Sequence, residues 1–146
     1  MKKIIVTGGL GFIGSNLVNF LLKKNFFVIN IDKQTYSSNK YNNKNKKKYK
    51  FYKFDINKKD KLISIVKKFK PKAIFHLAAE SHVDRSINDP LAFAKTNIIG
   101  TIIILNAFKK LWQTNWQDKC FYHISTDEVY GSLSETGLFT EKSAYD

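Results

Sequence analysis

Three glycines, each three residues from the next, follow a short apolar run near the start of the chain. Gly8, Gly11 and Gly14 form a G-x-x-G-x-x-G pattern, and Gly9 adds an overlapping G-x-G-x-x-G pattern. Between a strand and a helix, such glycines permit a tight turn whose backbone N–H groups approach a pyrophosphate at the helix N-terminus. The alternative is a structural turn without a ligand. The flanking strand and helix patterns favour dinucleotide binding.

A carboxylate closes the second apolar run of the chain. Asp32 lies 18 residues after Gly14, where an acidic side chain binds the ribose hydroxyls of a dinucleotide. The same charge would repel the additional phosphate of NADP. The sequence therefore predicts NAD as the cofactor.

Polar residues also follow three of the predicted strands, at Thr7–Gly8, Glu80–His82 and Ser125–Glu128. Ligands of open parallel sheets bind at the carboxyl ends of the strands, so these segments are predicted to converge on one cleft. The alternative is that Asp127 and Glu128 form a solvated turn and that His82 is an ordinary loop histidine.

Two adjacent carboxyl groups, Asp127 and Glu128, suggest acid–base chemistry. In a partly desolvated cleft their pKa values are pushed apart, so that one serves as acid and the other as base. Thr126 could donate a hydrogen bond to a developing oxyanion. No metal site is predicted, because the three histidines lack ligand spacing; His76 and His123 are expected in the core or bonded to backbone.

The elements that must position these residues alternate between strand and helix patterns. Strands are predicted at Lys3–Thr7, Phe27–Ile31, Tyr49–Phe54, Ala73–Leu77 and Cys120–Ser125. Helices are predicted at Ser15–Lys24, at about Lys58–Phe69 after an Asn57 cap, and at about Pro90–Leu111 after an Asp89 cap. Residues 33–48 form a polar loop, and the tail from Gly131 is irregular. The expected fold is α/β, a Rossmann-type doubly wound parallel sheet of about five strands in the order 3-2-1-4-5, forming a single NAD-binding domain over residues 1–146.

The charge of the chain is concentrated in one segment. The formal net charge is +13, and residues 33–72 account for it with 15 Lys against Asp55 and Asp60. Only Arg85 is an arginine, whereas nucleic-acid readers rely on Arg for bidentate contacts. The sequence thus predicts no nucleic-acid partner. The lone Cys120 and the absence of an apolar run of about 18 residues predict a soluble cytoplasmic protein without a membrane segment.

Four motifs together resemble those of the bacterial dTDP-glucose 4,6-dehydratases, members of the extended short-chain dehydrogenase/reductase superfamily. They are Thr7-Gly8-Gly9-x-Gly11-Phe12-Ile13-Gly14, Asp32-Lys33-x-Thr35-Tyr36, the segment His76 to Ser86, and Ser125-Thr126-Asp127-Glu128-Val129-Tyr130-Gly131. The glycine motif is shared across the superfamily, whereas the Glu80–Ser86 and Ser125–Gly131 segments are far more specific.

The resemblance implies site roles that the spacing alone does not supply. The cofactor would contact Gly8, Gly11, Phe12, Ile13, Gly14, Asp32, Lys33, Gln34, Thr35, Asp55, Ile56, Leu77, Ala78, Ala79, Glu80, Ser81 and Thr96. Ser81 and Thr126 would also bind the sugar, here dTDP-glucose. In the family reaction, hydride moves from C4 to NAD, water is lost across C5–C6, and hydride returns to C6. Glu128 would take the C5 proton and Asp127 would protonate the departing C6 hydroxyl.

One family motif is missing. The Tyr-x-x-x-Lys pair expected after Thr126 does not occur before Asp146. The chain therefore resembles the N-terminal, cofactor-binding portion, and it is expected to have little or no activity alone. The alternatives are a non-catalytic dinucleotide-binding relic, a UDP-sugar 4,6-dehydratase and, with least support, a basic nucleic-acid-binding protein.

The helix from Pro90 is apolar on more than one side, with isoleucine at positions 98, 99, 102, 103 and 104. A helix buried between the sheet and other elements would explain this. The resemblance implies instead that helix 90–111 joins a helix bundle that forms a homodimer.

Overall fold

A five-stranded parallel sheet forms the centre of the molecule. The structure, a computed structural model, describes residues 1–38, 47–113, 115, 117–133 and 136–146. The strands are β1 (Lys3–Thr7), β2 (Phe27–Asp32), β3 (Tyr49–Lys53), β4 (Ala73–His76) and β5 (Cys120–His123). Their order, β3-β2-β1-β4-β5, and their parallel pairing confirm the predicted fold class.

Strands β1 and β2 are buried on both faces, as expected of a parallel sheet covered by helices, whereas β4 is fully buried on one face only. Ile5 and Val6 of β1 are fully buried, on opposite faces. On one face the core includes Leu62 and Phe108 from two helices, and on the other it includes Val18. The alternating strand and helix patterns therefore predicted the layers correctly.

In the described residues, four helices connect the strands and a short 3₁₀ turn follows the last strand. They are α1 (Phe12–Lys23), α2 (Lys59–Phe69), α3 (Val83–Asn88), α4 (Pro90–Trp112) and the 3₁₀ turn Asp127–Tyr130. Helix α4 has a π-helical segment, Ala94–Gly100, between its α-helical ends Pro90–Phe93 and Thr101–Trp112. Helix α1 begins three residues before the predicted start, which places its first turn directly at the glycines.

The two predicted helix caps differ in outcome. The Asp89 side chain accepts a hydrogen bond from the Ala92 N–H at 3.1 Å, and Pro90 opens the helix, as predicted. The Asn57 cap is wrong, because Asn57 folds back on Asp55 through its backbone and side-chain N–H groups and leaves Lys58 at the helix start. In the predicted loop 33–48, residues 39–46 lie outside the described residues.

Helix α4 corrects the expectation that no stretch is apolar enough to cross a membrane. Pro90–Trp112 has 23 residues and a mean hydropathy of 1.6 over 18 of them, which meets the criteria of length and composition. Polar residues interrupt its apolar run, but the average hydropathy stays high. The face with Ile104, Phe108 and Trp112 is buried in the core, whereas Ile98 and Ile102 are exposed.

Candidate functional site

The glycine turn between β1 and α1 is held by two side chains of β2. The Gly9 N–H donates to Asn30 Oδ1 at 3.1 Å, and the Leu10 N–H donates to Asp32 Oδ2 at 3.0 Å. Both acceptor side chains are buried. Asn30 was missed by the sequence reasoning, because a single Asn within an apolar strand has no signature until the strands are paired.

The fold itself requires glycine at two of these positions, because backbone atoms of other residues lie too close for a Cβ. Gly8 has a φ of 70°, and a Cβ there would lie 2.7 Å from the Ala78 nitrogen. A Cβ on Gly14 would collide with the Gly8 carbonyl oxygen. These two positions therefore bring the turn, the helix and the end of β4 together.

Gly11 differs, since nothing in the fold requires a glycine there. Its φ of −70° suits any residue, and a Cβ would meet only the Gly8 carbonyl oxygen at 3.4 Å. Gly11 lines the cavity above the turn. The first N–H groups of α1 have no partners within the helix, so this open space suits a bound anionic group such as a pyrophosphate.

An open cavity lies above the glycine turn. Most of the predicted cofactor residues line it: Gly8, Gly11, Asp32, Lys33, Thr35, Asp55, Ile56, Leu77, Ala78, Ala79 and Thr96. Ser37, Ser38 and Phe54 also line it; the sequence analysis did not select them, because serines in a polar loop and an apolar residue at a strand end carry no specific signal.

The other predicted cofactor residues lie around this cavity rather than in its lining. Phe12 and Ile13 are 84% and 61% exposed on the first turn of α1, and Ser81 is exposed as well. Gly14 lies buried under the turn. Gln34 and Glu80 belong to the two segments that flank the cavity, after β2 and after β4.

The Asp32 carboxylate is oriented by its hydrogen bonds. Besides the Leu10 N–H, it accepts the Gln34 N–H at 2.7 Å and the Ser38 hydroxyl at 3.3 Å, both at Oδ1. Only 8% of the residue is exposed, and the cavity borders it. A buried carboxylate held in this way presents a fixed negative charge to a ligand.

Two contacts join the segments on either side of the cavity. Lys33 Nζ lies 2.7 Å from Glu80 Oε1 and 4.0 Å from Asp55 Oδ2. The Arg85 guanidinium stacks over the Tyr36 ring at 3.6 Å. The residues after β2 are thereby connected to those after β4.

The predicted acid–base residues follow β5, which pairs with β4 beside β1. The strand order thus brings the three predicted segments to one edge of the sheet. Thr126, Asp127 and Glu128 are exposed in this chain, so the expected partial desolvation is absent. A hydrogen bond from the Thr126 side chain, and then one from the Glu128 backbone, lowers the pKa of Glu128 below its ordinary value.

The two strand histidines have different surroundings. His76 is buried, but its partners are the hydroxyls of Thr7 and Thr101 rather than backbone groups. His123 is exposed on the edge strand β5, so its predicted place in the core is wrong. Within the described part of the chain, no group of three or more His, Cys, Asp or Glu side chains could hold a metal ion.

Comparison with known proteins gives consistent similarities. The dTDP-glucose 4,6-dehydratase of Haemophilus influenzae is 47% identical over 99% of this chain. The solved dTDP-glucose 4,6-dehydratase of Streptomyces venezuelae, with NAD and TYD bound, superposes with a TM-score of 0.85 at 36% identity over 99% of the chain. UDP-glucose 4-epimerase of Thermotoga maritima, with UDP-glucose, gives 0.84 at 32% identity, also over 99%.

This chain spans less than half the length of these proteins, covering 46% of the Haemophilus relative and 45% and 44% of the two solved chains. The profile of the GDP-mannose 4,6-dehydratase family matches residues 5–146, which include the glycine turn, Asp32 and the acid–base segment. Because this match covers nearly the whole chain, the protein belongs to the GDP-mannose 4,6-dehydratase family.

Proposed function

We propose that this chain binds NAD and supplies the cofactor site and the acid–base pair of a dTDP-glucose 4,6-dehydratase. The observation that carries the proposal is the cavity bordered by both the glycine turn and Asp32, on the sheet edge where the Thr126–Glu128 segment follows β5. The relatives named dTDP-glucose 4,6-dehydratase support the choice of substrate, dTDP-glucose.

The residues of the cavity suit NAD in particular. The helix α1 N-terminus and Gly11 would receive the pyrophosphate, and Asp32 would accept hydrogen bonds from the adenosine ribose. Because the Asp32 carboxylate is held in place by three donors, the additional phosphate of NADP would meet its negative charge. The NAD bound in the Streptomyces venezuelae structure supports the same cofactor.

The adjacent carboxyls fit the elimination of water from a 4-keto sugar. When bound, NAD supplies reversible hydride acceptance. A ketone at C4 acidifies the C5 proton, which the ionised Glu128 would accept. Asp127 would give a proton to the C6 hydroxyl as the C6–O bond breaks, so that water leaves and a C5=C6 double bond forms. Thr126 and Ser81 would hold the sugar.

The acid–base pair also separates a dehydratase from an epimerase, although both types superpose well. Inversion at C4 by removal and return of hydride breaks no C–O bond, and so it does not require a second acid and base at C5 and C6. Asp127 and Glu128 therefore favour dehydration. A UDP-sugar 4,6-dehydratase remains the nearest alternative, followed by a dinucleotide-binding module without catalysis.

The surface of the chain indicates which macromolecular partners we expect. The exposed apolar side chains of α4 include Ile98, Ile99, Ile102 and Leu105, and we expect them to form a homodimer interface. We expect no nucleic-acid partner, because lysine carries almost all of the excess positive charge and Arg85 is the single arginine of the sequence. A biosynthetic enzyme of nucleotide sugars is expected to act in the cytoplasm.

A chimera tests the proposed reaction. It joins residues 1–146 to the part of the Haemophilus influenzae relative that lies beyond their aligned region. We expect it to convert dTDP-glucose into a product that has lost one water, detected by mass spectrometry.

Two variants of this chimera, Glu128→Gln and Asp127→Asn, should each lower turnover by roughly 10²- to 10⁴-fold. The control variant Glu141→Gln changes an exposed carboxylate of the tail and should leave turnover unchanged. A chimera that binds NAD but dehydrates no sugar nucleotide would indicate the non-catalytic alternative.

A further inference from the structure

A chain of hydrogen bonds runs through the buried His76 at the end of β4. Thr7 of β1 lies directly opposite His76 in the parallel register. The Thr7 hydroxyl oxygen is 2.6 Å from His76 Nδ1, and the Thr101 hydroxyl oxygen is 3.0 Å from Nε2. The ring therefore connects two strands to helix α4.

The remaining contacts determine which atom donates in each bond. The Thr101 hydroxyl donates its only proton to the Asn97 carbonyl at 2.7 Å, so it must accept from His76 Nε2–H. In a neutral ring, Nδ1 then lacks a proton and accepts from the Thr7 hydroxyl. The Thr7 oxygen in turn accepts the Ala78 N–H at 3.3 Å. The four hydrogen bonds therefore all run in one direction, from the Ala78 N–H as first donor to the Asn97 carbonyl as last acceptor.

The neutral ring agrees with its surroundings. Burial, and then the neighbouring His123, lowers the pKa of His76 to about 4. A protonated ring would present a second N–H to Thr7, whose own proton would lose its acceptor. The series of hydrogen bonds is therefore compatible only with the neutral form.

One end of the series lies at the cavity, and the other is adjacent in sequence to a residue that lines it. Ala78 lines it, and Asn97 follows Thr96, which also lines it. The Asn97 side chain accepts the Glu80 N–H and donates to the Glu80 carbonyl, each at 2.9 Å. The segment between β4 and α3 is thus held at Ala78 by Thr7 and at Glu80 by Asn97.

We propose that His76, as the neutral Nε2–H tautomer, is a positioning residue that fixes the 77–80 wall of the dinucleotide cavity through Thr7 and Thr101. The identity of the ligand rests on the proposed function, whereas the hydrogen-bond series does not. An apolar residue of similar volume would fill the same space but leave the buried Thr7 hydroxyl and the half-buried Thr101 hydroxyl without their ring partner, and unmade bonds away from water are costly.

The first test uses the 146-residue chain without nucleotide. Nitrogen NMR of the histidine rings should show His76 with a proton on Nε2 and none on Nδ1 at neutral pH. Thr101→Val removes the hydroxyl at nearly constant volume, and it should change this tautomer signature and speed hydrogen exchange at the Ala78 amide. Thr101→Ser keeps the hydroxyl and should restore both signals. A His76 protonated on Nδ1, or signals unchanged in Thr101→Val, would overturn the proposal.

The second test titrates NAD into the same variants by calorimetry. Thr101→Val should bind NAD roughly three- to tenfold more weakly, the effect of one lost hydrogen bond, and Thr101→Ser should bind within about twofold of the unmodified chain. Equal NAD affinity in all three would overturn the positioning role. If the unmodified chain binds no NAD, the proposed function fails, and the NMR experiment still decides whether the hydrogen-bond series exists.

Discussion

Single residues of this site stabilise the fold and are also the ones that we propose to bind or position the ligand. The Asp32 carboxylate predicted to face the ribose also fixes the glycine turn through Leu10, and the buried His76 connects β1, β4 and α4. The fold fixes the hydrogen-bond partners of both side chains. For His76, the resulting protonation state is measurable in the chain without ligand.

The free energy of unfolding should decrease as the pH is lowered, because of His76. Its pKa is about 4 in the folded chain against an ordinary 6.5, so above pH 6.5 the ring is neutral in both states and its full contribution is present. Below pH 6.5 the unfolded chain binds the proton first, and about 3 kcal/mol of stability is lost by pH 4. Urea unfolding between pH 7 and pH 5 should show about 2 kcal/mol of this loss.

His76→Gln provides the comparison for that measurement, because its amide keeps a donor and an acceptor but does not titrate. The fall in stability between pH 7 and pH 5 should be smaller in this variant by about 2 kcal/mol. An equal fall in both proteins would contradict the assignment of the pH dependence to His76.

The roles of these residues were predictable to different degrees. Asp32 was identified because its distance from the glycines follows a local pattern. Asn30 and the Thr7–His76–Thr101 contacts were not, since they depend on strand register and join residues 21 to 69 positions apart. The exposure of Thr126–Glu128 also lay beyond the sequence pattern, which shows residue types but not the packing around them.

At the scale of elements, the turn into α1 contains Gly14, which the fold requires, and Gly11, which we propose the ligand requires. Gly14→Ala should destabilise the chain by about 1–3 kcal/mol because its methyl meets the Gly8 carbonyl. Gly11→Ala should lower stability by about 1 kcal/mol or less, because alanine is a poorer N-cap than glycine. It should lower NAD affinity roughly tenfold or more, because the methyl occupies space left open beside the cavity.

Thermal unfolding and NAD titration of both variants check this contrast. A Gly11→Ala variant that binds NAD as tightly as the unmodified chain would show that the open space at Gly11 is not part of the ligand site. A strongly destabilised Gly11→Ala variant would show instead that the fold itself needs this glycine.

The elements were predicted best where the patterns were long and apolar. Strand order and the Asp89–Pro90 helix start were predicted correctly. Helix α3 was missed because six residues with two apolar side chains show no period. The π segment Ala94–Gly100 was missed because its wider turn has no known sequence signal, although such segments are frequent at functional sites.

At the scale of the whole molecule, the exposed apolar face of α4 favours self-association. Ile98, Ile102 and Leu105 are between 44% and 58% exposed, and exposed apolar patches mark interaction sites. Ile102→Lys should shift the chain from dimer to monomer in sedimentation experiments and leave NAD affinity unchanged, since Ile102 does not line the cavity. A strict monomer in the unmodified chain at high concentration would contradict the proposed dimer.

NAD binding by the chain is the central claim, and direct titration tests it. With folding verified by circular dichroism, calorimetry should show one NAD site and affinity for NADP lower by roughly tenfold or more, because Asp32 repels the additional phosphate. Equal affinities would contradict the role of Asp32. A folded chain that binds no NAD would contradict the account as a whole.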